Sequence, residues 1–280
     1  MSAKIRVLVI DGYDKAGREE LQSGGASLAA DLYVAMLRKY LPHAHYDPIF
    51  ISAPGVELPV PLEAYAAIAW TGCSLTIFDD DPQVRRQIQL AKDAFEIGIP
   101  SFGSCWAAQI AVVAAGGVCR PNPHGREMGL GRKISLTPEG RAHPMYFGKP
   151  TVFDGFASHV DEVTHMPVGG LVLAGNAFTT VQAVAVTHKK GTFWGLQYHP
   201  EYDLHEMARL TYCRIEKLKK LGFFRTREDA EEFVELLETL HQDPTRYDLA
   251  WKLGIDEDIT DPVIRQCEVR NWIEQLVIPH

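Results

Sequence analysis

Two short segments carry residue types that together perform nucleophilic acyl chemistry. In Ile99-Pro100-Ser101-Phe102-Gly103-Ser104-Cys105-Trp106-Ala107-Ala108-Gln109, a β-prone run meets a glycine-flanked turn, and the apolar stretch after it reads as a helix ending at Gly116-Gly117. This pattern predicts a nucleophile elbow with Cys105 at its tip. A helix N-terminus stabilises a thiolate, and the backbone N–H of Trp106 points where an oxyanion would form. A cysteine in an apolar, glycine-rich stretch is equally at home as a packed core thiol, so the assignment needs a partner. One stands 94 residues further on, at His199, with Glu201 two positions beyond it. In an extended segment those two side chains face the same way. A carboxylate on one imidazole nitrogen fixes the tautomer and leaves the other nitrogen to take or return a thiol proton. Alone, His-Pro-Glu reads as well as a strand-ending turn set by Pro200.

The elements around these segments alternate. The pattern predicts strands at Ile5–Ile10, Tyr46–Ile51, Ala66–Trp70 and Pro100–Gly103, with helices at Ser27–Tyr40 and Pro82–Ile97 between them. Such alternation implies βαβ units and a mostly parallel sheet. Later strands at Arg132–Leu136, Thr151–Phe156, Leu171–Ala174, Gln182–His188 and Thr192–Gln197 follow one another through short turns, which favours antiparallel or mixed pairing. Helices are predicted at Leu204–Leu221, at Thr226–Leu240 with a Thr226/Asp229 cap, and at Pro262–Val277. Ser27 is read as the cap of its helix, closing the Ser23-Gly24-Gly25-Ala26 turn.

Composition bounds the rest. With 280 residues, 46% apolar and 23% charged, the chain has globular proportions and buries roughly 75% of its extended surface. Ile97 to Cys119 holds no charged residue, yet Pro100, Gln109 and four glycines make it strand, turn and buried helix rather than a membrane span. Residues 1–222 carry 22 basic and 22 acidic side chains, whereas residues 223–280 carry 6 and 14, so the net charge of −8 lies in the final segment. That balance argues against nucleic acid as a partner and divides the chain near Gly222 into a main domain, 1–222, and an acidic helical extension, 223–280. Five cysteines, at 73, 105, 119, 213 and 267, without a C-x-x-C, fit reduced thiols and a cytoplasmic setting. Met1 to Asp11 shows no export signal, and His43 and His45 lack a third metal ligand nearby in sequence.

The two chemistry-bearing segments resemble those of the class I glutamine amidotransferases, whose pattern is G-x-C-x-G-x-Q followed by H-P-E. The resemblance covers roughly residues 5–220 and is greatest to the glutaminase domain of GMP synthetase and to stand-alone γ-glutamyl peptide hydrolases. With the element pattern, it implies a three-layer, flavodoxin-like α/β fold whose mostly parallel sheet extends into a mixed region. By the resemblance, Cys105 is the nucleophile, His199 the base and acid, and Glu201 the orienting carboxylate. Ala69-Trp70-Thr71-Gly72-Cys73-Ser74 stands for the oxyanion loop, making Gly72 a second donor beside Trp106. Ser158-His159-Val160-Asp161 resembles the segment that holds the α-amino and α-carboxylate groups of glutamine, Gln109 the side chain that contacts the same substrate, and Arg126-Glu127 a pair near the pocket. Two positions depart from the pattern: Ala107 replaces the second elbow glycine, and the usual G-G-P reads Thr71-Gly72-Cys73.

The expected reaction is hydrolysis of the glutamine side-chain amide through a γ-glutamyl thioester on Cys105, with no cofactor or metal. No P-loop occurs, and the 58 residues after Gly222 fall short of the about 100–200 of a synthetase domain, so ammonia would pass to a separate synthetase chain. Two alternatives stand beside it: a self-sufficient hydrolase of γ-glutamyl peptides or γ-glutamyl amines, and a non-catalytic regulatory subunit. Oligomeric state is not legible.

Overall fold

Alternate side chains of a strand face opposite sides of a sheet, and in β1 (Arg6–Asp11) both sides are apolar. Val7 and Val9 enter one buried cluster, Leu8 and Ile10 another. The strand is therefore sandwiched between two helical layers, the usual condition of a parallel strand. The computed structural model describes residues 5–278. Residues 1–4, which open the stretch read for an export signal, and 279–280 of the predicted extension lie outside the described residues.

Among the described residues β1 is followed in chain order by β2 (His45–Phe50), β3 (Ala67–Trp70), β4 (Ser101–Ser104), β5 (Val118–Pro121), β6 (Glu127–Leu136), β7 (Val152–His159), β8 (Asp161–His165), β9 (Gly170–Gly175), β10 (Ala183–His188) and β11 (Gly191–Leu196). Nine of them form one sheet in the order β2-β1-β3-β4-β11-β10-β9-β6-β7, and β5 pairs with β8 separately. The pairings from β2 to β11 are parallel; those beyond β11 are antiparallel. The sheet thus has a parallel half and an antiparallel continuation, as the spacing of predicted strands implies.

Helices α1 (Lys15–Ser23), α2 (Ala29–Tyr40), α3 (Pro82–Ile97), α4 (Trp106–Ala114) and α5 (Pro138–Ala142) are interleaved with the strands. After β11 come α6 (Leu204–Cys213), α7 (Ile215–Lys220), α8 (Arg227–Gln242), α9 (Tyr247–Leu253), α10 (Glu257–Thr260), α11 (Pro262–Arg265) and α12 (Cys267–Trp272). One face of the sheet packs against Tyr33, Met36 and Leu37 of α2 and, beside them, Val269, Trp272 and Val277 near the C-terminus. The other face packs against α3 and α4. A third cluster joins α6, α8 and α9 through Met207, Leu237 and Leu249. Thr226 and Asp229 form the predicted capping box of α8. Among the described residues no helix is long and apolar enough to cross a membrane.

Three predicted helix features differ. Ser27 is not a cap: its N–H and hydroxyl both turn to Glu206 of α6, because a carboxylate is the stronger acceptor. The first turn of α2 is served instead by the buried Asp11 carboxylate, which accepts the Ala30 N–H at 3.1 Å. The helix predicted over 204–221 breaks at Arg214, whose backbone leaves helical geometry while its side chain turns inward to Ser158. The helix predicted over 262–277 breaks at Gln266 and ends in a π turn at Ile273–Val277.

Gly103 in β4 has room for no side chain, since a Cβ there would run into the Trp70 carbonyl and Ala107 Cβ. Gly103→Ala is expected to destabilise the fold by about 1–3 kcal/mol through overpacking, visible as a lowered thermal midpoint. An unchanged melt would contradict this account of the elbow's packing.

Candidate active site

The parallel strands all end on one side, and the candidate residues sit at those ends, the usual place for a site in an open α/β sheet. Cys105 follows β4 directly and forms the N-cap of α4 with φ 53° and ψ −100°. A non-glycine residue in that region is strained and must be held by its surroundings. Here its N–H donates to the Leu196 carbonyl at 2.6 Å and its carbonyl accepts from Ala108 N–H at 3.1 Å. Trp106 opens α4, where backbone N–H groups have no intrahelical acceptor. Ala107 is fully buried between α4 and the sheet, facing Gly103, so the methyl that departs from the family pattern is absorbed by the core and does not line the pocket.

His199 and Glu201 lie just past β11, their side chains each 2% exposed and joined by a 2.7 Å bond from Nδ1 to Oε1. Glu201 Oε1 also accepts from the Ser104 hydroxyl at 2.8 Å, and Ser104 accepts from the Tyr33 hydroxyl at 2.6 Å. The ring of Tyr202 stacks on the imidazole, centroids 4.2 Å apart and planes 4° from parallel. One nitrogen and one face of His199 are thereby fixed, while Nε2 has no hydrogen-bond partner among the described residues. Burial by itself would disfavour the imidazolium, but the Glu201 carboxylate and the Cys105 thiol outweigh it, and His199 is pushed up to about 10.

Gly72 closes this corner. A Cβ on it would stand 3.0 Å from His199 Cε1 and 3.7 Å from Cys105 Cβ, so only glycine leaves the approach open. The loop is anchored by Thr71, whose hydroxyl accepts the Gly12 N–H at 3.1 Å and donates to the Gly72 carbonyl at 2.8 Å. Cys73 is a second thiol on the pocket wall. Its sulfur donates to the Gly12 carbonyl and accepts the Leu75 N–H, and burial pushes it well above the ordinary thiol range. It is thereby held as a structural thiol.

In front of Cys105 lies a cavity of about 240 Å³, smaller than the roughly 300 Å³ lower end for drug-sized ligands and scaled to an amino-acid group. Ser158, His159, Val160 and Asp161 line one wall, at the step from β7 to β8. Gln109 Nε2 donates to the Asp161 carbonyl at 3.3 Å. His159 points away from the chemistry: Nδ1 meets the Asp161 carbonyl at 3.1 Å and Nε2 meets Glu127 at 2.9 Å. Burial opposes charge on Glu127, but His159, Asn176 and Gln182 hold its carboxyl below the usual range. Of the Arg126-Glu127 pair, then, Arg126 lines the pocket and Glu127 braces the wall behind it.

The sequence reading placed Arg126 near the pocket but missed Arg214, which lines it as well. Arg214 and Arg126 converge on the Ser158 hydroxyl at 3.0 and 3.4 Å, and the buried Nε of Arg126 has no partner among the described residues. Two guanidiniums on one hydroxyl leave positive charge facing the cavity. Tyr13, Glu20 and Lys217, which the sequence reading did not name either, also line the pocket. Arg214 carries a sequence signal, because it interrupts the apolar stripe of Leu210 and Leu218 at helical spacing. Ser104, Tyr33 and Tyr202 carry none, since their roles arise from contacts distant in sequence. Among the described residues no group of three or more His, Cys, Asp or Glu side chains is arranged to hold a metal ion.

Known proteins show the same arrangement of chain. The family profile for glutamine amidotransferase class-I matches residues 78–212. A γ-glutamyl-L-1-hydroxyisopropylamide hydrolase from a Pseudomonas species is 32% identical over 99% of this chain and 94% of its own. A glutamine-hydrolysing GMP synthase from Thermosipho africanus is 34% identical over 49% of this chain but 24% of its own length. A solved glutamine amidotransferase from Thermotoga maritima shares the fold, with a TM-score of 0.70 at 18% identity over 98% of this chain and 99% of that one.

Because the folded value of His199 is raised from 6.5 to about 10, its protonated form contributes stability fully below pH 6.5 and loses that contribution as pH climbs toward 10. Glu201→Gln removes the charge sustaining the imidazolium, so the titration of His199, followed by NMR on ¹⁵N-histidine-labelled protein, is expected to move to lower pH. A titration left at the wild-type position would contradict the pairing.

Proposed function

This chain belongs to the class-I glutamine amidotransferase family and is an amidotransferase or hydrolase enzyme, and on that premise we propose that it hydrolyses the amide of a γ-glutamyl amine without a partner chain. The buried line of Glu201, His199 and Cys105, with the imidazole bonded to Glu201 through Nδ1 and its Nε2 unpartnered among the described residues, carries this reading. Cys105, as thiolate, attacks the γ-carbonyl carbon of the substrate. The oxyanion is held by the N–H groups of Gly72 and Trp106. As the tetrahedral adduct collapses, the C–N bond breaks and the His199 imidazolium gives its proton to the departing amine. Water then gives a proton to His199, adds to the thioester and releases glutamate, restoring Cys105.

At the other end of the substrate, Arg126 and Arg214 offer charge to the α-carboxylate, and the backbone of Ser158, His159, Val160 and Asp161, steadied by Gln109, faces the α-amino group. All of these residues fall within 1–222, which we take as the catalytic domain, with 223–280 as its extension. A nucleophile that must remain a thiol suits a reducing, cytoplasmic setting. Free glutamine with ammonia passed to a synthetase chain is the second reading, favoured by the GMP synthase likeness. The full-length likeness to a hydrolase, which extends through the C-terminal helices, supports the self-sufficient reading over it. The intact triad disfavours a non-catalytic subunit.

Pure protein is expected to cleave γ-glutamyl amines with higher kcat/KM than glutamine, and Cys105→Ala to lose at least about 100-fold in rate. Glutamine turnover alone, low until a synthetase is added, would overturn the self-sufficient reading. Arg126→Ala is expected to raise KM by about tenfold with little change in kcat; an unchanged KM would remove Arg126 from substrate binding.

A further inference from the structure

The residues on either side of His199 are both tied to one distant element. Gln266, 2% exposed at the break between α11 and α12, donates from Nε2 to the Pro200 carbonyl at 3.3 Å. Its Oε1 accepts the Tyr40 hydroxyl of α2 at 3.2 Å. Two residues further on, the fully buried Glu268 accepts the Tyr198 hydroxyl at 2.5 Å and pairs with Lys149 Nζ at 3.0 Å. Tyr198 also meets the Tyr146 hydroxyl at 2.9 Å, and Lys149 Nζ donates to the second Glu268 oxygen at 3.2 Å. Lys149 donates in addition to the Ile264 carbonyl at 2.9 Å, which secures the end of α11. On the same helix, Trp272 packs on Phe102 of β4, ring centroids 5.5 Å apart.

A buried carboxylate and ammonium are costly to keep and less stabilising than well-packed apolar residues of the same size. A charge-assisted bond of 2.5 Å nevertheless fixes a phenol with a directionality that apolar packing lacks. What it fixes here is the residue before the imidazole, while Gln266 fixes the residue after it. The loop beyond β11 must hold His199 and Glu201 in one geometry although Pro200 between them has no N–H to contribute.

We infer that Gln266 and Glu268 are positioning residues for His199 and Glu201, and that the break at Gln266 exists to carry them. The inference rests on the reading of Cys105, His199 and Glu201 as the catalytic groups. It gives the C-terminal segment a part in catalysis: the brace comes from the same chain as the site, which a self-sufficient hydrolase requires.

Three variants of the full chain test it. Gln266→Met keeps the volume and removes the Pro200 bond; Tyr198→Phe removes the bond to Glu268; Leu249→Ala empties a buried position of α9 in the separate cluster of α6, α8 and α9. Each is followed by thermal melting, by kcat and KM on a γ-glutamyl amide, and by the NMR titration of His199. The expected result for Gln266→Met is a kcat lower by about ten- to a hundredfold at unchanged KM, with the His199 titration displaced. Tyr198→Phe changes the same quantities in the same direction, and Leu249→Ala lowers the melting midpoint while kcat and the titration stay at wild-type values. Wild-type kcat and titration in both Gln266→Met and Tyr198→Phe would overturn the inference. So would equal losses of kcat in all three variants in step with their melting points, which is the mark of a merely structural role. The titration needs no substrate, so it decides the matter even if the substrate class is wrong, an error seen separately as wild-type protein without Cys105-dependent turnover.

Discussion

A protonated imidazole shut away from water against a carboxylate is sustained only where neither charge can drift, because loss of either partner would strand the other in a low dielectric. Much of the surrounding structure answers to that constraint. Glu201 is held by the Ser104 hydroxyl, Ser104 by Tyr33, and the imidazole by the face of Tyr202. Ser104 is the last residue of β4 and Cys105 the next in chain, so the strand that orients the carboxylate also delivers the thiol at its strained turn. The thiol of Cys105 and the His199–Glu201 pair are thereby set by one sheet, and any shift of β4 relative to β11 moves both.

The parallel half of the sheet supplies this rigidity, and the antiparallel half supplies the rest of the pocket. β7 runs out of the large sheet at His159 and re-enters pairing as β8 at Asp161, so residues 158–161 form a fixed step beside the thiol rather than a free loop. His159 and Glu127 bind behind that step, with Asn176 and Gln182 completing the buried cluster. Positive charge reaches the pocket lining from two arginines that share the Ser158 hydroxyl of that same step.

Local patterns in the sequence made much of this legible. The Gly103–Cys105 turn, the His199-Pro200-Glu201 corner and the alternation of strands with helices are each written in a few neighbouring residues, and they carry the strained turn, the hydrogen-bonded His199–Glu201 pair and the sheet. What was not legible depends on partners far apart in the chain. Ser27 reads as a cap until Glu206 of α6 is brought beside it. The apolar stripe over 204–221 resumes at Leu218 after Arg214, so the pattern still reads as one helix; the reason for the break is Ser158, a residue of β7. An acidic C-terminal stretch reads as a solvated surface, whereas Glu268 within it is buried against Lys149 and Tyr198. Charge counts average over such residues, and only the packing separates them.

The central claim is that acyl transfer passes through the sulfur of Cys105. Intact-mass and peptide mass spectrometry of acid-quenched protein taken during turnover of a γ-glutamyl amide tests it most directly. The account predicts one added γ-glutamyl group, located on the peptide bearing Cys105 and absent from the Cys105→Ala protein. Turnover with an unmodified Cys105, or an adduct on Cys73 in its place, would contradict it.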